Sequence, residues 1–329
     1  MKDSPLPAVV TGGAGFTGAA LVSALRKDAV PVTVLDRVDW AQAFRLHEFD
    51  GTDGFVYHQV EIEDPDRLGT LLEGASVVYH LSANTENRGD RAGRFADLRS
   101  TVAGTVGVLE ALASQRQRTV HTVVLTSSQL VYAPVTNGDR ITEHTGVLAP
   151  ASRFAAGKMA AEGFLSAYAD ELGLTAVSCR LSNIIGPGTK RGIVHDIVAR
   201  LADDPHRIRL LGNGRQTRSY LHVDDCVAAL RAAAAPDTGR YEVINVCNTD
   251  SLSAATVARL VAEEFPHGTP EVVTVGGDSG WRGDVPTLAV WPEKLLARGW
   301  RPGRTSSEAV TDTARALLTE RFPAAPASG

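Results

Sequence analysis

The stretch Ala8-Val9-Val10-Thr11-Gly12-Gly13-Ala14-Gly15-Phe16-Thr17-Gly18 is an apolar run, a glycine turn and a helix start in immediate succession. Gly13, Gly15 and Gly18 satisfy G-x-G-x-x-G, and Gly12, Gly15 and Gly18 satisfy G-x-x-G-x-x-G. Glycines at these places permit a tight turn and let the backbone approach a pyrophosphate. The helix opening at Phe16 and Thr17 offers free N–H groups and a partial positive charge to that anion. Eighteen residues past Gly18, at the end of the next apolar run, stands Asp36. A carboxylate there accepts hydrogen bonds from an adenosine ribose and repels a 2′-phosphate, which favours NAD over NADP. Arg37, beside it, is the residue type that accommodates such a phosphate.

Working outward, short apolar runs alternate with helical patterns. Strands are predicted at about 8–11, 30–35, 55–60, 77–81, 122–127 and 175–180, with helices at about 16–26, 96–115 and 151–172. Asp64-Pro65 opens a further short helix, with aspartate as cap and proline in the first turn. Strands separated by helices predict an α/β fold, a Rossmann-type doubly wound parallel sheet. The pattern loosens after Asn183. Residues 1–183 are read as the dinucleotide-binding domain, with a return segment near 220–247, and 184–329 as mainly a smaller, interleaved substrate-binding domain.

The chain has 329 residues, 43% hydrophobic and 22% charged, which excludes wholesale disorder. Acidic residues outnumber basic ones 38 to 33, so no basic face for nucleic acid is implied. Only Lys2, Lys27, Lys158, Lys190 and Lys294 are lysines, and the arginine-rich remainder suits phosphorylated ligands. Cys179, Cys226 and Cys247 fit neither a zinc spacing nor a disulfide framework, and the histidines form no ligand spacing, so no metal is expected. No apolar run approaches the ~20 residues of a membrane span. Met1-Lys2-Asp3-Ser4-Pro5 reaches a strand too soon for a signal peptide, so a cytoplasmic protein is expected.

Further segments follow the glycine turn in order: Glu61-Ile62, His80-Leu81-Ser82-Ala83, Thr101-Val102-Ala103-Gly104-Thr105, Thr126-Ser127-Ser128-Gln129-Leu130, Asn183 with Gly186-Pro187-Gly188, and Arg218-Ser219-Tyr220-Leu221-His222-Val223-Asp224-Asp225. Together they resemble the extended short-chain dehydrogenase/reductase family, in its NAD-dependent nucleotide-sugar epimerases and dehydratases, over nearly the whole chain. The resemblance implies that Glu61 and Ile62 contact adenine and that Leu81, Ser82 and Ala83 line the cofactor. It puts Thr101 where the family has asparagine, and assigns Ser128 as the catalytic Ser/Thr and Lys158 as a catalytic and cofactor-binding lysine. Thr85 and Gln129 join the substrate site, Asn183 meets the nucleotide diphosphate, and Arg218, with Tyr220 nearby, contacts substrate phosphate. Trp281-Arg282-Gly283-Asp284 resembles a late Arg-x-Gly-Asp, with Arg282 one position on as the candidate arginine. The ligand implied is a UDP-, GDP- or dTDP-sugar, and the helices near 96–115 and 151–172 imply a homodimer.

The family's central Tyr-x-x-x-Lys reads Phe154-Ala155-Ala156-Gly157-Lys158 here. The lysine is in register and the phenol is absent. Phenylalanine cannot move a proton, and general acid–base help is worth ~10²–10⁴ in rate. Three readings stand: a Tyr-to-Phe change that disables an otherwise normal site; an enzyme that uses another base, such as Ser128, a water held by Lys158, or Thr85; and a sugar-nucleotide binder without turnover. The family's 4,6-dehydratases carry Asp-Glu directly after the Ser/Thr, where this chain has Gln129-Leu130. The resemblance therefore points first to a 4-epimerase acting by transient oxidation at sugar C4, ahead of a dehydratase or a ketoreductase.

Overall fold

The computed structural model describes residues 6–84, 95, 97–134, 140–235, 240–276 and 288–323. Two of the sequence-predicted site residues, Thr85 and Arg282, lie outside this set.

The chain divides into two compact units. The first comprises Met1–Ala133, Val147–Leu181 and Val227–Ile244. It begins with β1 (Ala8–Thr11), α1 (Phe16–Lys27), β2 (Val32–Asp36), β3 (Phe55–Gln59), α2 (Pro65–Leu71) and β4 (Val77–His80). Next come a π-helical segment (Asp97–Ala103) continued by α3 (Gly104–Ala113), then β5 (Thr122–Ser128), α4 (Arg153–Leu172) and β6 (Thr175–Leu181). Strand β1 pairs in parallel with β2 and β4, β2 with β3, β4 with β5, and β5 with β6. The strand Tyr241–Val246 completes a seven-stranded sheet at the β6 edge, in the order Tyr241–Val246, β6, β5, β4, β1, β2, β3. The chain therefore reverses its winding direction at β1, and the crevice outside the carboxyl ends of β1 and β4 is where such sheets bind ligands.

Burial explains the apolar runs. β1 and β5 are buried at every position, as strands covered on both faces must be. Helix α4 buries Ala155, Lys158, Ala161, Glu162, Leu165 and Ala169, at helical spacing along one stripe. Its Ser152 cap accepts the Ala155 N–H, and Gly173 ends it in the left-handed conformation with φ of 65°. Val9, Val78, Val123, Leu109, Leu112 and Leu165 share the main core of this unit.

The second unit comprises Pro134–Gly146, Ser182–Cys226 and Asn245–Gly329. Short parallel strands Asn183–Ile185 and Tyr220–His222 pair, with Asn183 opposite Tyr220. The helices Ile193–Leu201, Ala254–Glu264 and Ser306–Arg321 enclose a core containing Ile197, Leu201, Val257, Val261, Val310 and Leu317.

The helix expected over 96–115 differs from a plain α-helix, because its first seven described residues are π-helical. Asn84, just past the end of β4, donates to Asp97 at the start of this segment.

Candidate functional site

The glycine turn is built around backbone approach. Gly12 has φ of +71°, and a Cβ there would lie 2.7 Å from the Ser82 backbone nitrogen. A Cβ on Gly18 would lie 2.2 Å from the Gly12 carbonyl oxygen, so helix α1 can start against the turn only with glycine at that place. Gly15 caps α1 without any side-chain partner, which leaves the first helical N–H groups open to an anion. Asp36 closes the turn from the end of β2, where its Oδ2 accepts the Ala14 N–H at 3.0 Å. Arg37 and Glu61 line one shallow pocket of about 250 Å³ together with Gln59, Val60 and Arg67. Ile62 is buried, and a Cβ on Gly104 would lie 2.6 Å from its Cδ1, so Ile62 packs on the start of α3. This arrangement fits a dinucleotide: an open helix N-terminus, a turn that a side chain would fill, and a carboxylate beside it.

His80, at the end of β4, organises the turn from behind. Its Nδ1 lies 2.7 Å from Thr11 Oγ1, and its Nε2 lies 3.0 Å from Thr105 Oγ1. Thr105 donates its own hydroxyl proton to the Thr101 carbonyl at 2.6 Å, so its oxygen is left to accept from His80 Nε2–H. Thr11 then donates to Nδ1 and accepts the Ser82 N–H at 3.3 Å. The ring is a neutral Nε2–H tautomer. Burial, aided by the positive charge of Lys158, lowers its pKa to about 3. One imidazole thus joins the glycine-turn strand, the segment Leu81–Ala83 and the π-helical segment.

Lys158 lies in the corner made by β4, β5 and α4. It is 3% exposed, and its Nζ donates to the Thr126 carbonyl at 2.5 Å. Burial lowers its pKa to about 8, against the raising influence of Glu162. Glu162 stands four residues on, yet both of its oxygens are engaged elsewhere. Arg180 grips them from Nε at 2.9 Å and Nη2 at 2.6 Å, and the Ser127 hydroxyl donates to Oε1. Arg180 also stacks over the Tyr132 ring at 4.6 Å. Two residues past Thr126, Ser128 ends β5, and its Oγ accepts the Leu130 N–H at 3.2 Å, opening the short turn that holds Gln129. Ser128 and Gln129 are both buried, and Gln129 Oε1 has no partner among the described residues. Phe154 is half-buried on α4, one turn before Lys158.

Thr101 is 1% exposed and its hydroxyl has no partner among the described residues. It packs against Gly157 of α4, whose Cβ would lie 3.8 Å from Thr101 Cβ. Asn84 donates from Nδ2 to Asp97 Oδ1 at 2.9 Å, and both are buried. Glu162, Arg180, Asn84 and Asp97 were missed by the motif reading. Only Glu162 had a signal, its spacing of four from Lys158 on a helix.

In the second unit, Asn183 Nδ2 donates to the Ser219 carbonyl at 3.1 Å and stands opposite Tyr220 in the strand pair. Arg218 is half-buried two residues before Tyr220, and its Nη1 donates to the Thr217 carbonyl at 2.7 Å. Asn183 and Tyr220 share one strand pair, and Arg218 stands two residues before Tyr220 on the short strand Thr217–Arg218, opposite Leu252. His222 is buried with its Nδ1 accepting the Asp224 N–H, a strand-end contact.

Among the described residues no group of His, Cys, Asp and Glu could hold a metal ion. All three cysteines are free and buried. Among the described residues no helix is long and apolar enough to cross a membrane.

Residues 8–247 match the family model described as the NAD dependent epimerase/dehydratase family. The chain is 32% identical over 237 residues to a UDP-glucose 4-epimerase of Mycolicibacterium smegmatis, covering 70% of this chain and 74% of the relative. It is 30% identical over 318 residues to a dTDP-glucose 4,6-dehydratase of the same organism, covering 93% of this chain and 91% of the relative. A crystal structure of a UDP-galactose 4-epimerase superposes with a TM-score of 0.78 at 31% identity, covering 96% of this chain and 99% of that one.

Proposed function

The chain belongs to the NAD-dependent epimerase/dehydratase family, and from that premise we propose that it is a nucleotide-sugar 4-epimerase that works by transient oxidation at sugar C4. Its relatives are nucleotide-sugar epimerases and dehydratases, and its cofactor is NAD.

One observation carries the choice of reaction. The turn after Ser128 offers Gln129 and Leu130, so no carboxylate stands there to assist elimination of water from the sugar. NAD, when bound, accepts a hydride from the sugar and returns it. The open N-terminus of α1 would hold the pyrophosphate, and Asp36 would accept from the ribose hydroxyls. Lys158, held at the Thr126 carbonyl two residues before Ser128, supplies a positive charge and further N–H donors, and the Ser128 hydroxyl orients the sugar oxygen. Arg218 and Asn183 are the candidate holders of the nucleotide diphosphate, by paired hydrogen bonds to phosphate. The protein acts as a homodimer through the helices Asp97–Ala113 and α4. Leu98 and Phe164 on them are 57% and 43% exposed, a pair of apolar side chains that a second copy would cover.

Phe154 favours a second reading, a protein that binds NAD and a nucleotide sugar without turnover. Incubation with NAD⁺ and UDP-, GDP- and dTDP-hexoses and hexuronates, for the chain as given and for Phe154→Tyr, decides between them. Turnover by the chain as given supports an epimerase with another base. Turnover only by Phe154→Tyr makes Phe154 a disabling residue. Binding without turnover by either rejects the epimerase.

A further inference from the structure

Two departures from the resembled family, Phe154 and Thr101, lie around the same turn of α4. Gly157 stands between Phe154 and Lys158, and it packs on Thr101 and on the Asp97 backbone, whose carbonyl oxygen would be 3.5 Å from a Cβ at 157. Asp97 and Thr101 are four residues apart on the π-helical segment, and the Asp97 backbone carbonyl and the Thr101 side chain both lie against Gly157 of α4. Such segments concentrate at functional sites because they present a face that an α-helix does not.

The Thr101 hydroxyl on this segment is not satisfied as a structural core would satisfy it. Asp97 is 4% exposed, and among the described residues no cation pairs with its carboxylate. Its donor is the neutral carboxamide of Asn84, at 2.9 Å. Asn84 follows directly on Leu81–Ala83, the segment that touches the glycine turn through Ser82. The Thr101 hydroxyl, buried beside them, has no partner among the described residues. A buried carboxylate without a cation and a buried hydroxyl without a partner both cost stability, and such groups are found where a ligand completes them.

We propose that Asp97, oriented by Asn84 and assisted by the Thr101 hydroxyl, is the acid–base group that replaces the missing phenol. The proposal rests on the epimerase reading. In the oxidation step the proton of the sugar C4 hydroxyl passes to an Asp97 carboxylate oxygen. The C4–H bond breaks with its electron pair going to NAD⁺, and the C4–O bond becomes a carbonyl. In the return step the hydride adds to the opposite face of C4 and Asp97 gives the proton back to O4, so nothing is consumed.

The test measures kcat, NAD⁺ affinity by titration and thermal melting for the parent, Asp97→Asn, Asp97→Glu and Asn84→Ala. Asp97→Asn keeps the shape and an oxygen for Asn84, but takes no proton. It is expected to lower kcat by about 10²–10⁴-fold, with NAD⁺ affinity and melting within a small margin of the parent. Asp97→Glu keeps more activity than Asp97→Asn. Asn84→Ala lowers kcat at unchanged NAD⁺ affinity, and it carries the test should Asp97→Asn fail to melt cooperatively. The proposal is overturned if Asp97→Asn stays within threefold of the parent, or if kcat and NAD⁺ affinity decline together, as loss of a structural pair would cause. A parent that turns over no sugar in the panel removes the epimerase reading and this one with it, whereas an active parent with an indifferent Asp97 removes this one alone.

Discussion

Replacing Lys158 by methionine should leave a protein whose stability responds differently to alkali. Lys158 is buried, and its pKa falls from 10.5 to about 8 chiefly because burial penalises the ammonium. Below pH 8 folded and unfolded chains both hold the proton, and the folded state carries the full penalty, about 3 kcal/mol by conversion of the pKa gap. Between about 8 and 10.5 the folded state has released the proton while the unfolded state keeps it. Unfolding then takes up a proton, so stability rises with pH across this window. Methionine fills a similar volume and does not titrate. It also leaves the Thr126 carbonyl without its donor, at a cost of about 1–3 kcal/mol, so at pH 7 the two effects offset to within about 2 kcal/mol. The carbonyl does not titrate either, so the pH dependence is free of that offset. Urea unfolding of parent and Lys158→Met at pH 7, 8, 9 and 10 should show the parent gaining about 2–3 kcal/mol on the variant over the series. A difference that stays constant, or that moves against the parent as pH rises, would refute the assignment of a desolvated ammonium.

Three further outcomes follow from the same geometry. His80 has its pKa lowered from 6.5 to about 3, so the unfolded chain binds a proton first as pH falls, and up to about 5 kcal/mol is lost between these values; melting at pH 7, 5 and 4 should show His80→Gln losing less than the parent on the acid side. Gly18→Ala brings a Cβ within 2.2 Å of the Gly12 carbonyl and must shift the turn, so NAD⁺ affinity should fall at least ~10-fold by titration, while an unchanged affinity would contradict the role of the turn. Phe164→Glu places a charge on the exposed apolar pair of the two long helices, and light scattering at micromolar concentration should show a dimer for the parent and a monomer for the variant.

The parts of the fold written in local pattern were legible. The run Ala8–Thr11, the glycines and Asp36 lie within a few tens of residues of one another, and their order alone implies a strand, a turn and a ligand-binding crevice. The run Tyr241–Val246 was readable as a strand that could return to the main sheet, and it pairs at the β6 edge. What was not legible depends on side chains meeting across long separations. The helical pattern over 96–115 carries no sign that its first seven described residues are π-helical. The contacts that Asn84 makes with the segment's first residue, Asp97, and His80 with Thr105 just beyond it come from the end of another strand. The spacing of Lys158 and Glu162 suggests an ion pair on one helix face, but Arg180, on the following strand, takes the carboxylate instead.

That exchange of partners bears directly on the chemistry. An i, i+4 pair of Lys158 and Glu162 would neutralise both charges and hold the lysine proton firmly. The fold gives Glu162 a bidentate arginine and the Ser127 hydroxyl, and gives Lys158 a single carbonyl oxygen. An ammonium has three donors, and here the remaining ones are kept from a carboxylate in a buried place. A stability-driven design would pair or remove such a cation, since its burial costs about 3 kcal/mol at neutral pH. Its retention without a carboxylate partner among the described residues is intelligible if a ligand oxygen completes its shell, and the same logic applies to the Thr101 hydroxyl, which has no partner among the described residues. Among the described residues the Thr101 hydroxyl, packed against Gly157 next to Lys158 on α4, is a buried polar group without a partner, which fits a site prepared to hold a polar ligand better than a core that has lost a phenol and nothing else.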